Sequence, residues 1–152
     1  IPAGVKPGKI ISLKMVKFET QVRVRYAETD QMGYVYYGNY ATYYEVARVE
    51  LLRNLGLTYR SLEEQGIMMP VVENRSKYFK PAKYDDLLTI SVKVNELPVN
   101  RMFFIYEIFN EHRKLINTGE TELAFVDMKT GRPCNAPEAI LSLLKPFFNG
   151  QN

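Results

Sequence analysis

The sequence predicts an α+β domain in which one curved antiparallel sheet encloses one long helix. Three observations carry this: an alternating strand near the start, a helix too apolar to lie on a surface, and four further strand-like runs with no repeat or linker among them. With 152 residues, 46% hydrophobic and 24% charged, the chain suits a single globular domain with a real core.

The first strand falls at residues 18–28, with Val22, Val24 and Tyr26 on one side and Gln21, Arg23 and Arg25 on the other. The loop Thr29-Asp30-Gln31-Met32-Gly33 interrupts it, and Tyr34-Val35-Tyr36-Tyr37 leads through Gly38 to Asn39, a good N-cap. From Tyr40 the period becomes helical. Tyr40, Tyr43, Tyr44, Ala47, Leu51, Leu52 and Leu55 recur at steps of three and four, and Gly56 offers a stop. Val46 and Val49 widen the apolar surface, so this helix needs other structure around it. Residues 58–65 read as a short second helix ended by Gly66.

Strands are expected at residues 68–79, 87–97, 101–111 and 115–127, in a meander broken near Pro81, Pro98 and His112. The second of these is the clearest, with Leu88, Ile90, Val92 and Val94 opposite Thr89, Ser91 and Lys93. After the turn, Asn135-Ala136-Pro137-Glu138 reads as a capping box that opens a C-terminal helix through Leu144. Residues 1–14 are Gly/Pro/Lys-rich and are expected to be a poorly ordered leader or expression remnant, leaving 15–152 as the domain.

Composition excludes several chemistries. One histidine and one cysteine rule out a His/Cys zinc site within one chain, although a carboxylate-only magnesium site stays open. Cys134 has no partner for an internal disulfide, which suits the cytosol, and as a nucleophile it would want the lone His112. No G-x-S-x-G elbow is present, and the stretch Gly4 to Ile10 lacks the spacing and hydroxyl of a P-loop. A net charge of +3 with dispersed basic residues argues against nucleic acid, and no apolar run is long enough to span a membrane.

A carboxylate beside a helix start remains. Asp30 lies nine residues before Asn39, so its side chain could face a pocket at the helix's positive end, where N–H groups around Tyr37 and Gly38 could polarise a carbonyl. Equally, Asp30 could simply cap its own turn.

The stretch Tyr26-Ala27-Glu28-Thr29-Asp30-Gln31-Met32-Gly33-Tyr34-Val35-Tyr36-Tyr37-Gly38-Asn39-Tyr40, with Tyr43-Tyr44-Glu45-Val46-Ala47-Arg48, resembles the signature of the 4-hydroxybenzoyl-CoA thioesterase family, including its Tol-Pal-associated acyl-CoA thioesterase branch. Tyr84-Asp85-Asp86-Leu87-Leu88 resembles that family's lead-in to its third strand. The resemblance implies a hot-dog fold, a cytoplasmic enzyme that hydrolyses acyl-CoA thioesters, and a dimer or tetramer with substrate between two chains.

By position it implies that Asp30 is the general base or nucleophile and that Tyr37 supplies a backbone N–H to the thioester oxygen. The Tol-Pal branch often has histidine where Tyr37 stands, so only the backbone role carries over. Coenzyme A belongs to the substrate, and no cofactor is implied. Tyr36, Asn39, Arg75, Lys77 and Arg101 are candidate substrate contacts, the last three because phosphates attract basic side chains. Glu45 is the second-choice carboxylate, although a structural i,i+3 pair with Arg48 is the stronger reading. Three other functions stay open: acyl-carrier-protein thioester hydrolysis, a hot-dog dehydratase or hydratase, and acyl-thioester binding without turnover.

Overall fold

The computed structural model describes residues 15–148, so the expectation for residues 1–14 lies outside the described residues. Strand β1 (Val16–Arg23) runs into a 3-10 turn at Tyr26–Glu28, and a loop then leads to the long helix α1 (Asn39–Asn54). The short helix α2 (Tyr59–Glu64) and strands β2 (Ile67–Met68) and β3 (Val71–Tyr78) follow. Strands β4 (Leu87–Val94), β5 (Arg101–Phe109), β6 (Leu115–Ala124) and β7 (Val126–Asp127) precede helix α3 (Glu138–Phe148).

The main sheet has the antiparallel order β1-β4-β5-β6-β3, and β2 pairs with β7. The expected meander therefore holds only for β4-β5-β6. Strand β3 lies at the edge opposite β1, because α1 carries the chain across the face of the sheet before β3 begins.

The core lies between α1 and that face. Leu88, Ile90, Val92 and Val94 of β4 and Met102, Phe104, Tyr106 and Ile108 of β5 are buried there, as period-two alternation requires. From α1 they meet Tyr43, Ala47, Leu51 and Leu52, each leucine contributing about 1.5–3 kcal/mol by burial. A second row, Tyr40, Tyr44 and Arg48, follows the i, i+4, i+8 spacing toward β3, β6 and β5.

Tyr40 meets Tyr78 edge-on at 5.1 Å, and Tyr44 stacks on Tyr106 at 4.3 Å. The Tyr44 hydroxyl donates to Asn117 Oδ1 and lies 2.9 Å from Ser76 Oγ. Position 119 has to be glycine, since a Cβ there would collide with the Tyr44 ring.

Several boundaries differ from expectation. Strand β1 ends at Arg23, and the next residues turn, so Tyr26 is 78% exposed instead of sharing the inner side with Val22 and Val24. The run expected at 68–79 breaks at Met69-Pro70, where proline has no N–H to give a ladder, and its carbonyl accepts from Ala124 instead. The run expected at 115–127 breaks at the buried Phe125, whose carbonyl accepts from Cys134. Helix α3 starts at Glu138 with the Pro137 carbonyl accepting from Ile140 and Leu141, so Asn135 lies outside it, and the helix runs past Leu144.

Gly56 ends α1 as expected, at φ +94°, a left-handed conformation that glycine adopts without strain. Thr58 caps α2 by accepting from the Ser61 N–H.

Candidate functional site

The loop carrying Asp30 is a closed structure. Asp30 N–H donates to the Tyr34 carbonyl at 2.7 Å, and Gly33 N–H returns to the Asp30 carbonyl at 2.9 Å, with Gly33 at φ +82°. Asp30 Oδ1 accepts from the N–H groups of Met32 and Tyr34, at 2.9 and 3.2 Å. The turn-capping role is therefore real, but it occupies one carboxylate oxygen only. Oδ2 has no partner among the described residues.

Two anchors hold the loop against the segment that connects β3 to β4. Val35 is buried and its N–H donates to the Ala82 carbonyl, while Tyr34 bridges Lys83. Tyr36 N–H then donates to the Glu28 carbonyl at 2.9 Å, which closes the loop two residues before Asp30.

Helix α1 begins immediately afterwards. Gly38 is its N-cap position and Asn39 the first helical residue, so Asn39 does not cap as expected; its side chain donates to the Glu28 carbonyl at 2.8 Å. Neither Tyr37 N–H nor Gly38 N–H has an acceptor among the described residues. These open donors stand at the positive end of the helix dipole.

Tyr36 and Tyr37 are exposed, with ring centroids 4.7 Å apart. The adjacent Tyr37 side chain pushes the Tyr36 pKa up. A Cβ on Gly38 would come within 2.7 Å of the Tyr36 ring, so glycine lets that ring fold over the helix start.

Sequence reasoning missed Glu28. Its Oε1 accepts from Arg25 N–H at 2.9 Å and from the Tyr43 hydroxyl at 2.8 Å, and its Oε2 faces the Arg25 guanidinium. Burial alone would raise its pKa, but the hydrogen bonds from Arg25 and Tyr43 outweigh that and hold it below the usual carboxylate range. The i,i+3 spacing of Arg25 and Glu28 was the one signal available in the sequence.

Arg48 was misread as well. No ion pair joins it to Glu45 among the described residues; it turns inward, 6% exposed, and donates to the hydroxyls of Tyr59 and Tyr106 at 3.1 and 3.4 Å. Burial disfavours its charge, yet the two tyrosine oxygens more than compensate, so its pKa stays raised. Glu45 is left exposed on the outer side of α1.

The basic candidates are not gathered around Asp30. Ser76 faces α1, so its neighbours Arg75 and Lys77 point to the opposite face of the sheet. Arg75 is paired there with Glu73, at 3.0 Å, and with Glu120; Arg101 pairs with Glu122 at 2.6 Å. Lys77 has no ion pair among the described residues. Also among the described residues, no cluster of His, Cys, Asp and Glu could hold a metal ion, and no helix is long and apolar enough to cross a membrane.

The family model of the thioesterase-like superfamily matches residues 24–144, which include the Asp30 loop and all of α1. The chain belongs to that family. A putative acyl-CoA thioesterase of Bacillus subtilis, YneP, is 33% identical over 74% of this chain and 82% of its own length. The acyl-CoA thioester hydrolase YbgC of Escherichia coli is 30% identical over 84% of this chain and 96% of its own. The crystal structure of a DHNA-CoA thioesterase from Staphylococcus aureus superposes with a TM-score of 0.81 at 36% identity, covering 89% of this chain and 91% of that one. The expected family, the hot-dog fold and the enzyme class of thioester hydrolases are thereby met.

Proposed function

We propose that this thioesterase-family chain hydrolyses acyl-CoA thioesters with Asp30 as general base or nucleophile and the open N–H groups of Tyr37 and Gly38 as oxyanion donors. One observation carries the reading: Asp30 keeps one free carboxylate oxygen on a loop that closes, through Glu28, onto the unsatisfied start of α1. With Asp30 as base, water loses a proton to the carboxylate and attacks the thioester carbon. The oxyanion that forms meets fixed N–H donors, each worth on the order of 3 kcal/mol in the barrier. Collapse breaks the C–S bond and releases coenzyme A as a thiolate, which leaves readily without a strong general acid and recovers a proton from Asp30 or solvent.

His112 lies exposed in the hairpin between β5 and β6, where its N–H donates to Asn110, and no histidine stands at the start of α1. That placement favours hydrolysis over dehydration. The second copy that completes the site joins through β3, whose outer edge has no partner strand among the described residues and along which Val71, Val72 and Tyr78 are exposed, with Phe79 just beyond. Lys83, whose main chain pairs with Tyr34 of the Asp30 loop, is with its near neighbour Lys80 a candidate for the coenzyme A phosphates. We place the enzyme in the cytoplasm and give it no cofactor, because the carboxylate and amides supply the chemistry.

The test is free-thiol release from a panel of aliphatic, hydroxylated aromatic and acyl-carrier-protein thioesters, with Asp30→Asn alongside. Turnover lost in the variant while its melting temperature holds supports the site. Full activity in Asp30→Asn would overturn it, and binding without turnover by the unaltered protein would make it a scaffold.

A further inference from the structure

Three contacts at residue 28 exceed what a local turn requires. A 3-10 turn is capped once Arg25 N–H reaches the Glu28 carboxylate, as it does at 2.9 Å. The same oxygen also accepts from the Tyr43 hydroxyl, fifteen residues away and one turn inside α1, at 2.8 Å. Meanwhile the Glu28 carbonyl accepts from Tyr36 N–H and from the Asn39 side chain, at 2.9 and 2.8 Å. Residue 28 therefore binds helix α1 at two places and the far end of the Asp30 loop at a third. Asp30 is two residues beyond this junction, and Tyr37 is one residue beyond Tyr36.

We infer that Glu28 is a positioning residue: its carboxylate, clamped between Arg25 and the Tyr43 hydroxyl, sets the separation between Asp30 and the open N–H groups at the start of α1. The inference rests on the proposed roles of Asp30 and those N–H groups. Tyr43 is 1% exposed, so its hydroxyl is largely shielded from solvent and its hydrogen bond holds Glu28 close to the helix. Without that hydrogen bond, the 3-10 turn is tied to α1 only through main-chain and Asn39 contacts, and the loop carrying Asp30 gains freedom relative to the amides. Misplacement of a reacting group by about 1 Å costs about a hundredfold in rate.

Steady-state kinetics on an ester that the unaltered protein turns over test this with three variants. Glu28→Ala is expected to lower kcat by about a hundredfold with KM within about threefold. Glu28→Gln keeps an acceptor for Tyr43 and for Arg25 N–H, and is expected to recover kcat to within about tenfold of the unaltered protein. Tyr43→Phe removes one side of the clamp and leaves Glu28 in place, and is expected to lower kcat by about tenfold with little change in melting temperature. Introduced into Asp30→Asn, Glu28→Ala is expected to cause a much smaller further fall than it does alone, since its effect passes through Asp30.

An unchanged kcat in Glu28→Ala, or equal losses in the alanine and glutamine variants, would overturn the inference. If Glu28→Ala does not fold, Tyr43→Phe decides: kcat lowered in a folded protein supports the clamp, and kcat unchanged overturns it. An Asp30→Asn variant with full activity would instead show that the site assignment itself is wrong.

Discussion

Strands β1 and β3 are both eight-residue edges of one sheet, yet they are built for opposite purposes. In β1, Val16 and Phe18 are buried against the core, and charged Lys17, Glu19 and Arg23 occupy the alternate positions. In β3, every residue except Ser76 is exposed, among them Val71, Val72 and Tyr78. Strand β3 carries charged Glu73, Arg75 and Lys77 as well, so the contrast lies in where the apolar side chains stand: covered by the core in β1 and uncovered in β3, and an uncovered apolar edge invites pairing with another chain. The half of the domain around β1, β4 and β5 therefore stores the stability. The half around β3, the Asp30 loop and the start of α1 keeps exposed aromatic surface and unsatisfied donors, and the proposed site rests on them.

Substitutions on the two halves should separate these roles, and the largest effect is expected at Asp30. Asp30→Asn should reduce kcat by about 10²–10⁴ with the melting temperature close to that of the unaltered protein, as read by thiol release and calorimetry. A matching loss of stability would erase the contrast. In the other half, Ile90→Ala should lower unfolding free energy by about 2–5 kcal/mol in a urea titration while kcat per folded molecule stays unchanged.

Tyr44 lies on the boundary. Tyr44→Phe should cost about 1–3 kcal/mol, because Asn117 Oδ1 loses its donor in a fully buried position. Alkaline pH probes the same boundary. Burial pushes the pKa of both Tyr40 and Tyr44 up to about 12, and those of Tyr43, Tyr59 and Tyr106 also rise. Folded tyrosines then keep protons that the unfolded chain releases near its ordinary pKa of about 10, so stability is full below that pH and falls as pH climbs toward about 12. Denaturation midpoints measured between neutral and alkaline pH, with tyrosinate absorbance followed in parallel, should show this decline.

The smallest expected effect concerns the free edge. Val72→Glu should change the unfolding free energy of the separate chain by less than about 0.5 kcal/mol, because Val72 is already exposed. Light scattering should nevertheless show a shift toward the monomer if β3 pairs with a second copy. An unchanged mass would move the oligomer interface away from this edge.

Much of this was legible in residue order. Alternation in β4 and the three-four spacing of α1 announced the core, because the period of buried side chains follows directly from backbone geometry. The run from Tyr26 to Arg48 announced the family and offered Asp30 as the candidate carboxylate. Periodicity names the face of an element, though, and not its neighbour. It placed Tyr26 inward on a strand that had already ended, paired Arg48 with Glu45 on the surface, and gave no sign that Glu28 would meet Tyr43.

The sequence by itself determined an α+β chain with one enclosed helix, a turn holding Asp30, and a glycine-marked approach to the helix start. Those features depend on contacts within a few residues, where composition and spacing suffice. Only the tertiary structure decided that β3 crosses to the far edge, that Arg48 is buried among tyrosine hydroxyls, and that Glu28 joins both ends of the Asp30 loop to α1. Each is a meeting of groups distant in sequence, selected when the whole core packs at once and buried polar atoms such as the Arg48 guanidinium and the Tyr44 hydroxyl have to find partners.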